Sequence, residues 1–267
     1  MRRFTADYLR RTREGMWDGS REALSDLDLS SRTRILDVGA GTGELSTVLA
    51  AESGAEVVCL DADRSLLTTA RAETGLSVVA GDATRLPFED DAFDLVVCQA
   101  LLVNLPTPTK ALREFARVSS DLVAAVEPDN AAVGVDSTVD REPELDRRVR
   151  EAYLDGVATD VALGDRLPAL FRENGLRDVR TSRHHHDKHV EPPYDTGNLE
   201  DAKRKATGEG LDAHEAELRR VLSGAEYDDL RREWRAMGRA VAEQIADRAY
   251  HRVEVVPFDV CVGRVGE

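Results

Sequence analysis

From residue 33 to residue 127, short β-branched runs alternate with stretches whose apolar residues recur every three or four positions. That alternation predicts βαβ units around a parallel sheet. "TRILDV" is the first strand, and Leu45, Val48 and Leu49 then share one helical face. "EVVCLD" predicts the second strand, Leu66, Leu67 and Ala70 a short helix, "LSVVAGD" the third strand and "FDLVVCQ" the fourth. The next helix has Thr107 as N-cap, Pro108 at its first position and Leu112, Phe115 and Ala116 as its stripe. "DLVAAVEPD" is the fifth strand.

Beyond residue 130 the spacing changes. Leu145, Val149, Ala152 and Tyr153 suit an amphipathic helix; Leu163, Leu167, Leu170 and Phe171 suit another that stops at Gly175. "RDVRTSRHHHDKHV" and "RVEVVPFDVCVGRV" read as strands, the second with a bulge or edge at Pro257. Between them Ser223 and Glu226 form a capping box, and Tyr227, Leu230, Trp234, Met237, Val241 and Ile245 mark one side of a long helix. Residues 195 to 210 are polar and punctuated by glycine, and are expected to be a mobile loop or hinge.

Composition narrows the class. The chain has 267 residues and a formal net charge of −15, which argues against a nucleic-acid partner. Only Lys110, Lys188, Lys203 and Lys205 are lysines among 36 basic residues, and excess carboxylate with scarce lysine fits a halophilic protein. Cys59, Cys98 and Cys261 each sit in an apolar run, as free thiols in a reducing compartment do. No run of about 18 apolar residues and no signal-peptide pattern occurs, so a soluble cytoplasmic protein without a membrane span is expected. Its oligomeric state is left open.

The chemistry concentrates in "ILDVGAGTGEL", where Gly39, Gly41 and Gly43 occupy a strand-to-helix turn. Glycines let a ligand approach the backbone, and the helix that follows offers unpaired N–H groups and its positive dipole end. Asp61 ends the second strand 22 residues after Gly39, where a carboxylate can accept from both ribose hydroxyls. The spacing is GxGxG with Asp37 two residues earlier, unlike the dinucleotide pattern GxGxxG.

With "VVCLDAD", "GDATRLPF" and "FDLVVCQALLVNLPTPTKALREFARV" following in order, residues 33 to 130 resemble the class I S-adenosylmethionine (SAM)-dependent methyltransferases. The resemblance is strongest to the small-molecule group that includes the ubiquinone and menaquinone enzymes. It implies a Rossmann-like, doubly wound α/β sheet of seven strands, six parallel and one antiparallel, the last inserted beside the fifth. It further implies SAM against Gly39, Ala40 and Gly41, Asp37 near the methionine amino group, and the ribose on Asp61 with Ala62 in the same turn. Asp82 and the Ala83 amide would meet adenine, and Gln99 would lie beside methionine. The family's histidine after the fourth strand is replaced here, in Val103, Asn104, Leu105 and Pro106, and its Gly-Gly turn before the fifth strand is Ser119, Ser120 and Asp121.

Residues 1–30 resemble the N-terminal helices that cover the cofactor in such enzymes, with Tyr8, Arg13, Met16 and Trp17 as the covering side chains and Arg13 on the SAM carboxylate; Phe4, Tyr8 and Trp17 could equally pack on the sheet. Residues 31–190 with 251–267 are expected to form the SAM-binding core, and residues 191–250 a helical insertion over the acceptor site. In that insertion Tyr194, Tyr227, Trp234 and Met237 either line the acceptor pocket or form its own buried layer.

Methyl transfer needs alignment and a partly desolvated pocket more than a catalytic residue. If a base is used, Glu127 or His189 lies at a suitable strand end, and Asn104 could orient an acceptor. His185, Asp187 and His189 would share one strand face, but three ligands on one exposed strand do not close a tetrahedral site, so no metal is expected. The resulting expectation is an enzyme methylating a small or medium-sized organic acceptor. An RNA or protein methyltransferase and a non-catalytic SAM-binding module are the alternatives, and a nicotinamide dehydrogenase ranks last.

Overall fold

The computed structural model describes residues 5–13 and 15–266; Phe4 lies outside them. In chain order come α1 (Ala6–Arg13), α2 (Met16–Gly19), β1 (Arg34–Val38), α3 (Glu44–Ser53), β2 (Glu56–Asp61), α4 (Arg64–Thr74), β3 (Ser77–Ala80) and β4 (Phe93–Gln99). Then follow α5 (Pro108–Val118), β5 (Ser119–Pro128), β6 (Gly134–Ser137), α6 (Glu142–Gly156), α7 (Leu167–Glu173) and β7 (Arg177–Val190). The last elements are α8 (Thr196–Thr207), α9 (Glu209–Asp212), α10 (Glu215–Leu218), α11 (Gly224–Ala246) and β8 (Arg252–Arg264). Among the described residues no helix is long and apolar enough to cross a membrane.

The chain forms two compact units. One contains the described residues up to Asp129, Leu163–His186 and those from Phe258 onward; the other contains Asn130–Ala162 and Asp187–Pro257. The second unit is therefore larger than the expected insertion at residues 191–250, because it takes in residues 130–162 as well.

In the first unit the sheet runs β3-β2-β1-β4-β5-β8, and β7 also pairs with β8. Strands β1 to β5 are parallel, with Ile35 opposite both Val57 and Leu95. Strand β8 enters antiparallel beside β5, placing Glu127 opposite Asp259. Alternate residues of each strand point to opposite faces. Leu36, Val38, Val96, Cys98, Val123 and Ala125 pack with Leu112 and Phe115 of α5 and Phe171 of α7. Ile35, Leu95, Val97, Leu122 and Ala124 pack on the other face with Leu45 and Leu49 of α3. Because both faces are covered, the strands are nearly continuous hydrophobic runs, the form parallel strands take in doubly wound folds. Met16, Trp17, Leu24 and Leu27 join that second core, so this part of the N-terminal segment is sheet packing.

The second unit has its own core, in which Leu145 of α6, Ala202 of α8 and Tyr227, Leu230, Trp234, Met237 and Val241 of α11 are buried. Tyr227, Trp234 and Met237 thus form the buried layer, and Tyr194 packs against it through a 2.9 Å hydrogen bond to the Tyr250 carbonyl. Helix α11 begins at the expected capping box. Three features depart from the sequence reading. Strand β6, "GVDS", has no apolar alternation and pairs with residues 252–255 of β8. Residues 196–207 are helix, not loop: the Asp195 carboxylate accepts from the Asn198 amide at 2.7 Å and the Asn198 side chain accepts from the Asp195 amide, a capping box built from an uncommon pair. Thr107, expected to cap α5, makes no side-chain cap bond; Pro108 alone marks that helix start.

Candidate active site

The glycine turn joins β1 to α3 in the first unit. Gly39 and Gly41 have φ of +73° and +61°, the left-handed region that side chains disfavour. Leucine side chains also press on both glycines. A Cβ on Gly39 would lie 2.9 Å from the Leu101 Cδ1, and one on Gly41 would lie 2.8 Å from the Leu9 Cδ1. In the turn itself, ahead of α3, three successive amides are occupied. Gly39 and Ala40 both donate to the Leu60 carbonyl, at 2.7 and 3.0 Å, and Gly41 donates to Asp61 Oδ2 at 3.0 Å. The end of β2 therefore holds the turn.

Asp61 is buried, and its other oxygen accepts from the Asp63 amide at 2.8 Å. It is not the cap of α4; Asp63 fills that role by accepting from the Ser65 amide. Next door, Gly81 donates to the Asp61 carbonyl. Asp82 is exposed, and its Oδ1 accepts from the amide and hydroxyl of Thr84, both at 2.8 Å, while Ala83 is buried. Ala62 is exposed beside them.

The other end of the site is more unusual. Asp37 is buried at the end of β1, where Oδ2 accepts from the Ser46 hydroxyl at 2.6 Å and Oδ1 has no partner. Burial raises its pKa to about 6, against the opposing pull of Ser46 and Arg13. Gln99 is buried at the end of β4; its Nε2 donates to the Met16 sulfur at 3.0 Å, and its Oε1 also lacks a partner. Arg13, at the end of α1, extends to the Gln99 carbonyl and to Glu44 Oε2, each at 3.4 Å. Buried acceptors without donors are rare enough to need an explanation.

Of the expected site residues, Asp37, Gly39, Ala40, Gly41, Asp61, Gln99 and Arg13 converge, and Ala62, Asp82 and Ala83 adjoin them. Tyr8, on the same helix as Arg13, is 45 % exposed. Asn104 closes its own turn by donating from Nδ2 to the Ala100 carbonyl at 2.8 Å. His189 is exposed near the end of β7, in the second unit. Glu127 is 1 % exposed, with both carboxylate oxygens accepting from backbone amides of the turn after β4. Glu44 and Ser46 were missed; the first turn of a helix is an ordinary place for either residue. Exposed His185, Asp187 and His189 alternate with buried His186, and among the described residues no three His, Cys, Asp or Glu are grouped to hold a metal.

This Rossmann-like sheet with its β1 turn is the architecture of solved methyltransferases. A candidate methyltransferase from Bacillus halodurans C-125 superposes with a TM-score of 0.55 at 17 % identity, covering 94 % of this chain and all of that one. The YcgJ protein of Bacillus subtilis superposes at 0.52 with 16 % identity, covering 92 % and 99 %. In sequence, residues 36–121 match the family described as "Methyltransferase domain". The demethylmenaquinone methyltransferase of Mycobacterium marinum is 43 % identical over 99 residues, 37 % of this chain and 42 % of that protein. The enzyme of the same name from Clavibacter sepedonicus is 45 % identical over 89 residues, 32 % and 36 % of the two chains. The chain thus spans about two fifths of the length of these curated relatives.

Proposed function

We propose that the protein is a SAM-dependent methyltransferase acting on a small or medium-sized organic acceptor. The observation that carries this reading is the pair of buried, donorless acceptors, Asp37 Oδ1 and Gln99 Oε1, beside the Arg13 guanidinium. An amino-acid end fits all three: its ammonium supplies donors to the two acceptors and its carboxylate meets the arginine. A pyrophosphate would instead bring negative charge to Asp37, Glu44 and Asp61. When bound, SAM supplies an electrophilic methyl group on a sulfonium. The chain's part is to fix the donor at both ends, Asp61 on the ribose and Asp82 with the Ala83 amide on adenine, and to keep the region between them dry. The relatives named demethylmenaquinone methyltransferase support an acceptor of small organic type. The net charge of −15 supports an acceptor other than nucleic acid.

Two finer readings rest on composition. The acidic, lysine-poor chain fits function in concentrated salt, and three buried free thiols fit a reducing compartment such as the cytoplasm. Thermal shifts with SAM, S-adenosylhomocysteine and NAD at low and molar salt test the whole reading. Both sulfur nucleosides should raise the melting temperature, NAD should not, and Asp61→Ala and Asp82→Ala should shrink the shift. Stabilisation by NAD alone would overturn the reading, and binding that survives only at low salt would overturn the halophilic part.

A further inference from the structure

The turn after β4 is capped from a distance. Gln99 ends the strand, Ala100 adopts φ +50°, and Leu102–Asn104 form one turn of 3₁₀-helix whose N-cap position is Leu101, a side chain that cannot cap anything. The missing acceptor comes from β5. Glu127 Oε1 accepts from the amides of Leu101 at 3.0 Å and Leu102 at 2.8 Å, Oε2 accepts from Val103 at 3.3 Å, and the Cys98 thiol lies 3.6 Å from Oε1. Three successive amides of one turn thus meet a single carboxylate about 25 residues later in the chain.

That turn reaches the candidate site through the residues that lead into it. The Leu101 side chain lies directly over Gly39, where an added methyl group would meet its Cδ1 at 2.9 Å, and Gln99 carries the carbonyl that Arg13 engages and the unpartnered Oε1. A shift of Leu101 therefore changes the surface over the first glycine of the β1 turn. Among the described residues Glu127 makes no ion pair. Its cross-strand partner is Asp259, whose charge is taken up by Arg183 through bonds of 2.9 and 2.8 Å. A buried carboxylate without a cation is costly in a sheet that apolar residues could fill more cheaply. Its three amide bonds are what offset that cost.

We infer that Glu127 is a positioning residue for donor binding: its ionised carboxylate gathers the Leu101, Leu102 and Val103 amides and so seats Leu101 on Gly39. This rests on the methyltransferase reading above, because the ligand whose affinity reports it is SAM. Burial pushes the Glu127 pKa up to about 7, with the loop amides and Cys98 opposing. The groups facing it are the Cys98 thiol, held protonated by burial and by Glu127 itself, the Asp259–Arg183 pair, and Asp37 further along the same site. Two quantities then move in opposite directions. A raised carboxyl pKa contributes stability that is complete below the ordinary glutamate range and is lost as pH rises towards 7. The loop, by contrast, is best gathered above 7, when both oxygens accept.

The test uses the full chain with SAM as probe, measuring affinity by calorimetry and amide exchange of residues 101–103 at pH 6, 7 and 8. In the wild type, SAM affinity and the protection of these amides relative to their intrinsic exchange rates should both rise as pH increases. Glu127→Gln, which loses one acceptor atom, should bind SAM about tenfold more weakly at pH 8, equivalent to about 1.4 kcal/mol. It should lose the component of the pH profile centred near 7 and exchange the three amides faster, with no drop in melting temperature. Wild-type affinity and pH profile in Glu127→Gln would overturn the inference. If the variant does not fold, the wild-type exchange profile decides alone: protection of residues 101–103 that does not change between pH 6 and 8 rejects it. A wild type that binds no SAM while those amides remain pH-dependent would reject the methyltransferase reading and the donor-binding role, and leave the latch as a loop device only.

Discussion

Among the described residues each unit buries one glutamate, Glu127 in the first and Glu142 in the second, and the two are treated oppositely. In the second unit Glu142, at the start of α6, is 0 % exposed; Lys205 of α8, the Tyr250 hydroxyl at 2.8 Å and the Ser137 hydroxyl at 2.6 Å donate to it, and the Arg252 guanidinium of β8 lies 3.4 Å away as an ion-pair partner. Burial pulls its pKa up, but Lys205, Ser137 and Arg252 together overcome that pull and hold it below the ordinary glutamate value. In the first unit Glu127 and Asp37 are just as buried, and both are shifted upwards, Glu127 without an ion pair among the described residues and Asp37 with one oxygen unpartnered. Burial is common to all three; neutralisation is not. A carboxylate matched by cations ties elements together, whereas carboxylates left incompletely matched in one place are what a ligand site requires.

The largest test of this contrast removes Glu142. Glu142→Ala leaves the Lys205 ammonium without its buried counter-charge, while Arg252 keeps Asp146 and Glu254, and should cost about 3–5 kcal/mol of unfolding free energy. Denaturant titration of the variant measures it. The pH signs also differ between units. A depressed carboxyl pKa gives stability that is present at neutral pH and lost as pH falls below the ordinary glutamate range, so acid should loosen the second unit. A variant that loses less than 1 kcal/mol would show that the second unit does not depend on this cluster.

Asp37 should behave the other way. Its pKa of about 6 against the ordinary 3.8 means that stability is complete below about 4 and falls as pH rises through 6. Asp37→Asn should remove that fall, gaining up to about 3 kcal/mol at pH 7 relative to the wild type's trend, while abolishing SAM-induced stabilisation. Melting curves with and without SAM between pH 4 and 8 check both halves. A loss of stability at pH 7 in Asp37→Asn would place Asp37 with Glu142 as a structural acid.

Glycines sharpen the same comparison. A methyl group on Gly238 of α11 would overlap the backbone of Lys205 and Ala206 in α8, so the two helices cross at this glycine. Gly238→Ala should destabilise the second unit by about 2–3 kcal/mol, seen as faster amide exchange in α8 and α11. Gly41→Ala meets the ends of the Leu9 and Arg13 side chains and a left-handed φ, so its cost to folding should be about 1 kcal/mol. Its effect on SAM affinity should exceed its effect on stability.

Much of the first unit was legible because its signals are local. Strand β4 is "FDLVVCQ" to the residue, and the parallel strands read as hydrophobic runs since both faces are covered. The glycine turn and Asp61 were legible by spacing. What spacing cannot show is where a hydrogen bond goes. The turn's amides are used by Leu60 and Asp61, and Glu127, at a strand end that invites a catalytic role, serves the loop backbone instead. The second unit was harder because its order is non-local. Lys205 looks like any residue of a charged stretch, and only the fold brings it to Glu142, 63 positions away. Strand β6 has no pattern of its own and exists because β8 offers an edge.

Helix α8 supplies the smallest and most local test. Its composition reads as loop, yet it carries Lys205 to Glu142, and two things hold it: the Asp195–Asn198 capping box at one end and the buried ion pair two turns further on. Removing an N-cap side chain costs about 1 kcal/mol, well below the loss of a buried charge partner. Asp195→Ala should therefore speed amide exchange in the first turn of α8 and lower global stability by about 1 kcal/mol, leaving SAM binding unchanged. If its cost equals that of Glu142→Ala, the capping box rather than the buried charge fixes the helix, and the neutralised glutamate would no longer account for the order of the second unit.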